Sequence, residues 1–580
     1  MFKFKKEEKT DLKLPIGEEE ILLARQTLQK YKRDKTNLEQ KIISNEDWWK
    51  LRHWETMRKD KNEYSPASAW LWNVIVSKHA ETMDSYPEPI ILPRMPDDSE
   101  EAKKLSSVVP LILEQNDFES VYSDVQWYKL KQGTGAYGIF WDVGKNGGLG
   151  DISIKKVDIL SLFWEGGVND IQDSKNLFYV NLCDNDTLVS LYPELSGRMG
   201  SDATEIAKYR YDDNVDVSGK SAVVDWYYKK TVNQRTVLHY CKFVGDTLLF
   251  STENLPDQYP NGWYDHGLYP FVFDPLFSIE GTPCGYGYID IAKDTQMQID
   301  LLSRSIVNNA MLASKPRYFI RGDGSVNEEE FADWTKDFVH TNGNLAKDSI
   351  LQIEVNPINS IYVNILNHKI DEIKETLGNR DSANGGINSG VTAASAIAAL
   401  QEAGSKLSRD STRAAYRAYR LVIIQCVELI RQFYDFPRFF RIIGKTGENE
   451  FTSYSNKGIT IRSQGESFGV DMGMRLPLFD IEINAQKCNP YSKMSQNELA
   501  LQFYNLGFFE VDRAQSALAC LEMMDFAHKD SVVARITGNY EKKRKSELSR
   551  AVLPAKRVTL PKEASAVERA RAVSAEGVIP

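Results

Sequence analysis

Between Gly285 and Phe436 apolar positions recur at helical intervals, stop, resume, stop again, and then continue unbroken to Tyr434. The spacing predicts a helix within Gly285–Ala313 with one narrow apolar stripe, Ile299, Leu302, Ile306, Ala310 and Ala313, and polar faces elsewhere. Pro316 disfavours helix before it, and Gly322-Asp323-Gly324 is turn chemistry, so Lys315 to about Asn359 reads as a small separate lobe. A second helix from Ser360 carries Leu366, Ile370, Ile373 and Leu377 and meets Gly378 where a C-terminal cap belongs. Arg380–Val391 is rich in glycine, asparagine and serine and offers almost nothing to bury. Thr392–Tyr434 has no proline and many alanines, with Ile397, Leu400, Leu407, Ala414, Ala418 and Leu421 on one side, and reads as one long helix. Lys406, Arg409, Arg413, Arg417 and Arg420 share another face of it, spaced by three and four. Such a row is a solvated or interchain salt-bridged surface, or else a contact with a polyanion.

The flanks alternate between helix and strand patterning. Glu18–Asp60 predicts two or three surface helices, and Ser65-Pro66 is a start signal for a buried helix through AWLWNVIVSKHAETM. An extended run, Tyr86–Pro96, then leads to helices over Asp98–Glu114 and Asp117–Lys131. Strands follow at Ile139–Val143, Ile152–Val157 and Leu177–Leu182, with a hairpin of Ala222–Thr231 and Arg235–Phe250 turning near Asn233-Gln234. Beyond the long helix, Arg438–Ala485 returns to strands in which Phe479, Ile481 and Ile483 alternate with polar residues, so both sides of the chain complete one lobe. Helices at Ser492–Leu506 and Val511–His528 flank Gly507, and from Asn539 the composition turns basic, with KKRK at 542–545, for a tail that is part helix and part disordered.

A length of 580 residues exceeds what one hydrophobic core serves, so several lobes are expected. Hydrophobic residues at 42% and charged residues at 26% place the chain among folded soluble proteins. Its six cysteines, at 183, 241, 284, 426, 488 and 520, lack metal-ligand spacing and suit a reducing compartment. The N-terminal MFKFKKEEKTDLKLP lacks a signal-peptide apolar core and no stretch reaches membrane-spanning length, so neither secretion nor a membrane partner is expected. A formal net charge of -10 argues against a tight non-specific DNA clamp and fits a conduit whose wall avoids trapping phosphates.

Candidate chemistry is sparse. Gly133-Thr134-Gly135-Ala136-Tyr137-Gly138 satisfies GxGxxG, but helix precedes it and strand follows, the reverse of a dinucleotide site, so it reads as a turn. Gly219-Lys220-Ser221 and Gly444-Lys445-Thr446 lack the earlier glycine of a P-loop, since Asn214 and Phe439 stand there. Seven histidines are scattered and no hydrolase or metalloprotease signature occurs. No catalytic residue, cofactor or metal is expected.

The order of helix, compact insert, helix, loop and long helix, with GYGYIDIAKDTQMQIDLLSRSIVNN and GINSGVTAASAIAALQEAGSK, resembles the portal protein of tailed bacteriophages. Val157–Leu195 resembles the wing of that family. The resemblance implies an α+β, portal-like fold with long stem and tunnel helices, a mixed wing, a small α/β clip and a helical crown. The pieces would be wing 1–284, first stem helix 285–314, clip 315–359, second stem helix 360–379, tunnel loop 380–391, tunnel helix 392–436, wing return 437–487, crown 488–538 and basic tail 539–580. It further implies a non-enzymatic dodecameric ring at the capsid vertex of the virion, assembled in the host bacterial cytoplasm. Double-stranded DNA would pass through it, and the terminase large subunit, head-tail adaptor, scaffold and major capsid protein would be its partners. Its DNA-facing residues would be Arg380, Asp381, Ser382, Asn384, Asn388 and Ser389, with the basic row second; clip docking would fall to Lys315, Arg317, Arg321, Trp334 and Lys336. A nucleotide-using enzyme, or a ring connector without motor docking, are the alternatives.

Overall fold

The computed structural model describes residues 15–57, 65–196, 206–212, 219–232, 235–314, 317–320, 322, 326–342, 350–353, 359–378, 406–443, 449–464, 466–467, 470–471, 473–487, 502–507, 510, 514–522 and 529–551. Two compact units divide the chain, Met1–Gln486 and Lys487–Pro580.

The first unit begins with α1 (Glu18–Trp49), a single 32-residue helix, followed by the five-residue α2 (His53–Met57). Acidic residues fill the first turn of α1, where they complement the helix dipole, and Gly17 N–H donates to Glu20 Oε2 at 2.9 Å. The separate helices expected over Glu18–Asp60 are thus mostly one, because no glycine or proline interrupts it until Leu51 turns left-handed at φ 57°. α3 (Trp70–Met83) starts four residues later than Ser65-Pro66 signals. The reason is tertiary: Trp54 Nε1 donates to the Pro66 carbonyl, and Ser68 spends its N–H and hydroxyl on Asp300 Oδ1, which keeps 65–69 out of the helix.

β1 (Ser85–Pro93), α4 (Ser99–Gln115) and α5 (Phe118–Gln132) follow. β2 (Thr134–Asp142) and β3 (Asp151–Lys156) form an antiparallel ladder. Then come β4 (Leu162–Trp164), β5 (Asn176–Asp184), α6 (Asn185–Leu191), β6 (Lys220–Val232), β7 (Arg235–Val244), β8 (Thr247–Ser251) and β9 (Phe271–Pro275). Two sheets result, ordered β3-β2-β9 and β4-β5-β6-β7-β8. The arm expected over Arg235–Phe250 is two strands, since Gly245 at φ 56° turns the chain between β7 and β8.

A short ladder of β10 (Phe277–Ser278) and β11 (Gly285–Tyr286) leads into α7 (Tyr288–Ser314). Next are β12 (Arg317–Ile320), α8 (Glu328–Ala332), β13 (Ile350–Ile353) and α9 (Ser360–Thr376). The long helix is described from Lys406 to Phe433. β14 (Arg438–Ile443) and β15 (Asn449–Tyr454) pair as a hairpin, β16–β19 are two-residue strands within 462–475, and β20 (Phe479–Lys487) pairs with β1. That pairing joins the two ends of the unit, as the alternation at Phe479, Ile481 and Ile483 predicts.

The largest core packs one face of the long helix (Ala418, Val422, Ile423, Cys426, Ile430) against α4, α5 and the three-stranded sheet. A second core seats Ile21, Ala24, Leu28 and Tyr31 of α1 on Phe163, Phe178 and Phe243 of the five-stranded sheet. A third gathers α3, α5 and the bases of α7 and α9 through Leu71, Ile75, Leu130, Ile289, Ile299, Ile373 and Leu377. Each fully buried aliphatic or aromatic side chain contributes about 1.5–3 kcal/mol before entropy. The second unit contains helices Ala514–Glu522 and Lys529–Ala551 around Phe503, Leu521 and Ile536. The KKRK run lies within the second of these helices, the helical part of the tail.

Candidate ring and channel surfaces

α7 and α9, the two helices expected as the stem, run antiparallel because Ile373 and Leu377 at the end of α9 share a core with Ile289, Ala292 and Ile299 near the start of α7. Burial stops half-way along. Past Asp300, α7 exposes Leu301, Val307, Met311 and Leu312, and the opposing start of α9 exposes Ile361, Tyr362, Val363 and Ile365, each by 36–55%. On the expected stripe, Ile299 is buried, Ile306 is half-buried and Ala310 and Ala313 are exposed. The faces beside the stripe, expected polar, thus carry uncovered apolar residues. Two helices cannot bury opposite sides at once, and among the described residues nothing else covers this end. Gly378 at φ 67° closes α9 as its position predicts.

The stem base is fixed by polar contacts. Asp300, fully buried, accepts from Ser68 and Gln296 and faces His53 Nε2 at 3.1 Å, whose ring stacks on Trp48 at 3.8 Å. These groups satisfy a carboxylate that would otherwise be costly to bury.

The insert between the stem helices is a lobe of its own. β12 and β13 pair from Arg317↔Ile353 to Ile320↔Ile350, Tyr318 meets Phe331 edge to face at 5.0 Å, and Asn327 caps α8. Val326 is its sole buried apolar side chain among the described residues. Glu330 accepts from His340 N and Nδ1, and these hydrogen bonds hold its carboxyl below the usual range. Trp334 is 93% exposed, and Phe338 and the cross-strand pair Phe319 and Leu351 are exposed as well. Of the clip residues named above, Arg317 is exposed on β12, Trp334 is exposed, and Lys336 lies 3.7 Å from Glu330; Lys315 and Arg321 fall outside the described residues. Phe319 and Phe338 were not picked out from sequence, although two phenylalanines in a lobe too small to bury them are the signal.

Arg409, Arg413, Arg417 and Arg420 are exposed along the long helix, as the row predicts, and Lys406 begins that helix. Leu421, expected on the buried side, lies instead on the arginine face, 48% exposed. The opposite face is anchored by polar groups as well as the core: Lys78 Nζ reaches Ser408 Oγ at 2.7 Å, and Lys129 Nζ donates to the Ser411 carbonyl at 3.1 Å. Arg380, Asp381, Ser382, Asn384, Asn388 and Ser389 lie outside the described residues.

The glycine motif is structural. Gly133 caps α5 at φ 91°, and a Cβ there would stand 2.5 Å from the Tyr286 backbone; Gly135 and Gly138 sit inside β2, where a Cβ would strike Val125 and Phe140. So only Gly133 turns the chain, and the remainder of the motif is strand rather than turn. Gly219-Lys220-Ser221 opens β6, with Ser221 Oγ on Asn185 Oδ1; Gly444-Lys445-Thr446 lies outside the described residues. Among the described residues no acidic, histidine or cysteine group is arranged to hold a metal, and no helix is long and apolar enough to cross a membrane.

A model of the phage P22-like portal protein family matches residues 81–557. The chain belongs to that family. No curated protein matches it. The match includes α7, the insert after it, α9 and the long helix. P22-like portal proteins are structural, non-enzymatic components of the phage capsid, forming the head-tail connector that serves genome packaging. The mixed α/β architecture accords with that assignment.

Proposed function

We propose that copies of this portal chain close head to tail into a ring of roughly twelve, the number the family resemblance implies, around a passage for double-stranded DNA. The observation that carries this reading is the apolar end of the α7–α9 pair, uncovered among the described residues, which repeats in every copy and would gain a partner from a neighbouring one. α7 and α9 form the wall of the passage, and the loop Arg380–Val391 touches the duplex, its polar, glycine-rich composition suiting weak contacts to a moving phosphate pattern. The clip, with Arg317, Trp334 and Lys336 outward, docks the terminase large subunit during packaging and the head-tail adaptor afterwards, while the wing meets scaffold and major capsid protein.

Native mass spectrometry with negative-stain top views tests the ring: an annulus with an open centre is expected, and a compact monomer or a plugged disc refutes it. Deleting Ala383–Asn388 should leave rings intact and impair packaging or retention of DNA. Unimpaired packaging removes the loop assignment.

A further inference from the structure

Two sets of unmatched charge lie on different sides of the long helix. On one side Tyr419 helps floor a cavity of about 320 Å³ with Tyr86, Pro87, Pro110 and Phe118. Its rim is Glu88, Glu114, Asp117 and Glu119, all exposed and none in an ion pair among the described residues. Their charge is felt locally: Asp117 and Glu119 help burial push the Tyr86 hydroxyl up, and Glu88 acts likewise on Tyr419. On the other side Arg413, Arg417 and Arg420 are exposed beside Leu421, also with no ion-pair partner among the described residues. At 100° per residue the arginine face and Tyr419 point more than a quarter-turn apart, so a chain's own arginines are directed away from its own groove.

We propose that the groove floored by Tyr86, Phe118 and Tyr419 receives arginines of the long helix from the next copy of this chain. The inference rests on the ring reading, and it assigns the basic row to an intersubunit contact rather than to DNA. A head-to-tail ring joins two different patches of one molecule, so each must complement the other; an acidic rim and a guanidinium row do so in charge. The floor adds what a bare acidic patch lacks. Tyr86, the half-buried aromatic ring of that floor, accepts a guanidinium by cation-π contact, while carboxylates at the rim bind it bidentately. Proline at three floor and wall positions, Pro87, Pro89 and Pro110, keeps the groove preformed. Arginine suits such a site and lysine does not, because only the planar group stacks and forks together.

The test is a charge swap on the full chain, read as the fraction of protein in rings by native mass spectrometry at low and high salt. Arg417→Glu/Arg420→Glu and Glu114→Arg/Glu119→Arg should each cut that fraction at least tenfold while leaving the melting temperature of the monomer unchanged. Combining all four substitutions should restore rings. Rings unaffected by either pair, or absent in the combination, overturn the proposal. Intact rings that lose DNA retention in the arginine variant overturn it in favour of a polyanion contact. A wild-type chain that forms no ring defeats the ring reading itself and is distinguished from these outcomes by the control.

Discussion

Lys129 of α5 and Asp274 of β9 form an ion pair at 2.7 Å with both side chains fully buried, at the point where α5, the three-stranded sheet and the long helix meet. Asp274 Oδ2 also accepts from Gln126 at 2.9 Å, and Lys129 donates to the Ser411 carbonyl. Asp274→Ala leaves an ammonium in the core with one carbonyl for company. The cost of such an orphan is about 3–5 kcal/mol. At roughly 2–4 °C per kcal/mol for a large domain, the melting temperature of the monomer falls by roughly 6–20 °C. The pH dependence identifies the cause. Burial already lowers the Lys129 pKa and Asp274 opposes that shift, so removing the carboxylate lowers it further. The folded variant then binds fewer protons than the unfolded chain up to the ordinary lysine range, and its stability rises with pH by up to about 1.4 kcal/mol per unit. The deficit against wild type should therefore shrink between pH 7 and 9.5 in thermal melts at matched ionic strength. A deficit below about 1 kcal/mol, or one independent of pH, refutes the claim that this pair fixes the long helix to α5 and the three-stranded sheet.

Three further outcomes are expected. His266 accepts from the Leu268 N–H through Nδ1 at 3.0 Å, and burial beside Lys229 lowers its pKa to about 4. Because the unfolded ring protonates near 6.5, its contribution is present above that pH and is lost as pH falls towards 4, at most about 3 kcal/mol; His266→Asn should flatten that part of the melting profile relative to wild type. Gly133→Ala should destabilise by roughly 2–4 kcal/mol in urea titration, since alanine is strained at φ 91° and its methyl overlaps the Tyr286 backbone. Trp334→Ala, at a side chain 93% exposed, should leave the melt within about 0.5 kcal/mol of wild type yet weaken pull-down of the terminase large subunit; undiminished capture contradicts the docking role.

What the sequence disclosed and what it hid divide along physical lines. The stem helices, the Gly378 cap, the β5 and β6 pattern and the alternation of β20 were legible because local periodicity and burial agree there. The start of α3 was missed because its N-terminal residues are committed to Asp300, a residue far along the chain that no local pattern reveals. The β7–β8 turn was readable at Gly245-Asp246 but was masked by the apolar run on either side. Register between β1 and β20, the buried Lys129–Asp274 pair and the acidic groove beside Tyr419 depend on contacts across hundreds of residues and leave no local trace. The faces beside the stripe of α7 were expected to be polar but carry Leu301, Val307, Met311 and Leu312, because a single-stripe template passes over apolar residues that fall off its period.

That distinction bears on how the parts act together. The clip lobe is an insertion between α7 and α9, so any load on it enters the body through the stem bases, where Ile289, Ile299, Ile373 and Leu377 pack with α3 and α5. The same two helices hold the long helix, through Lys78 on Ser408 and Lys129 on Ser411. The residues that precede and follow 379–405 are therefore both anchored to the body through hydrophobic packing together with buried polar contacts. Each anchor also carries a buried charge whose partners set its register: Asp300 of α7 accepts from Ser68 and Gln296 and faces His53, while Lys129 pairs with Asp274 and donates to the Ser411 carbonyl. Sliding either element would strand a buried charge, so the base of α7 and the start of the long helix are each held in one register, and a displacement of the insert between α7 and α9 meets that resistance at both.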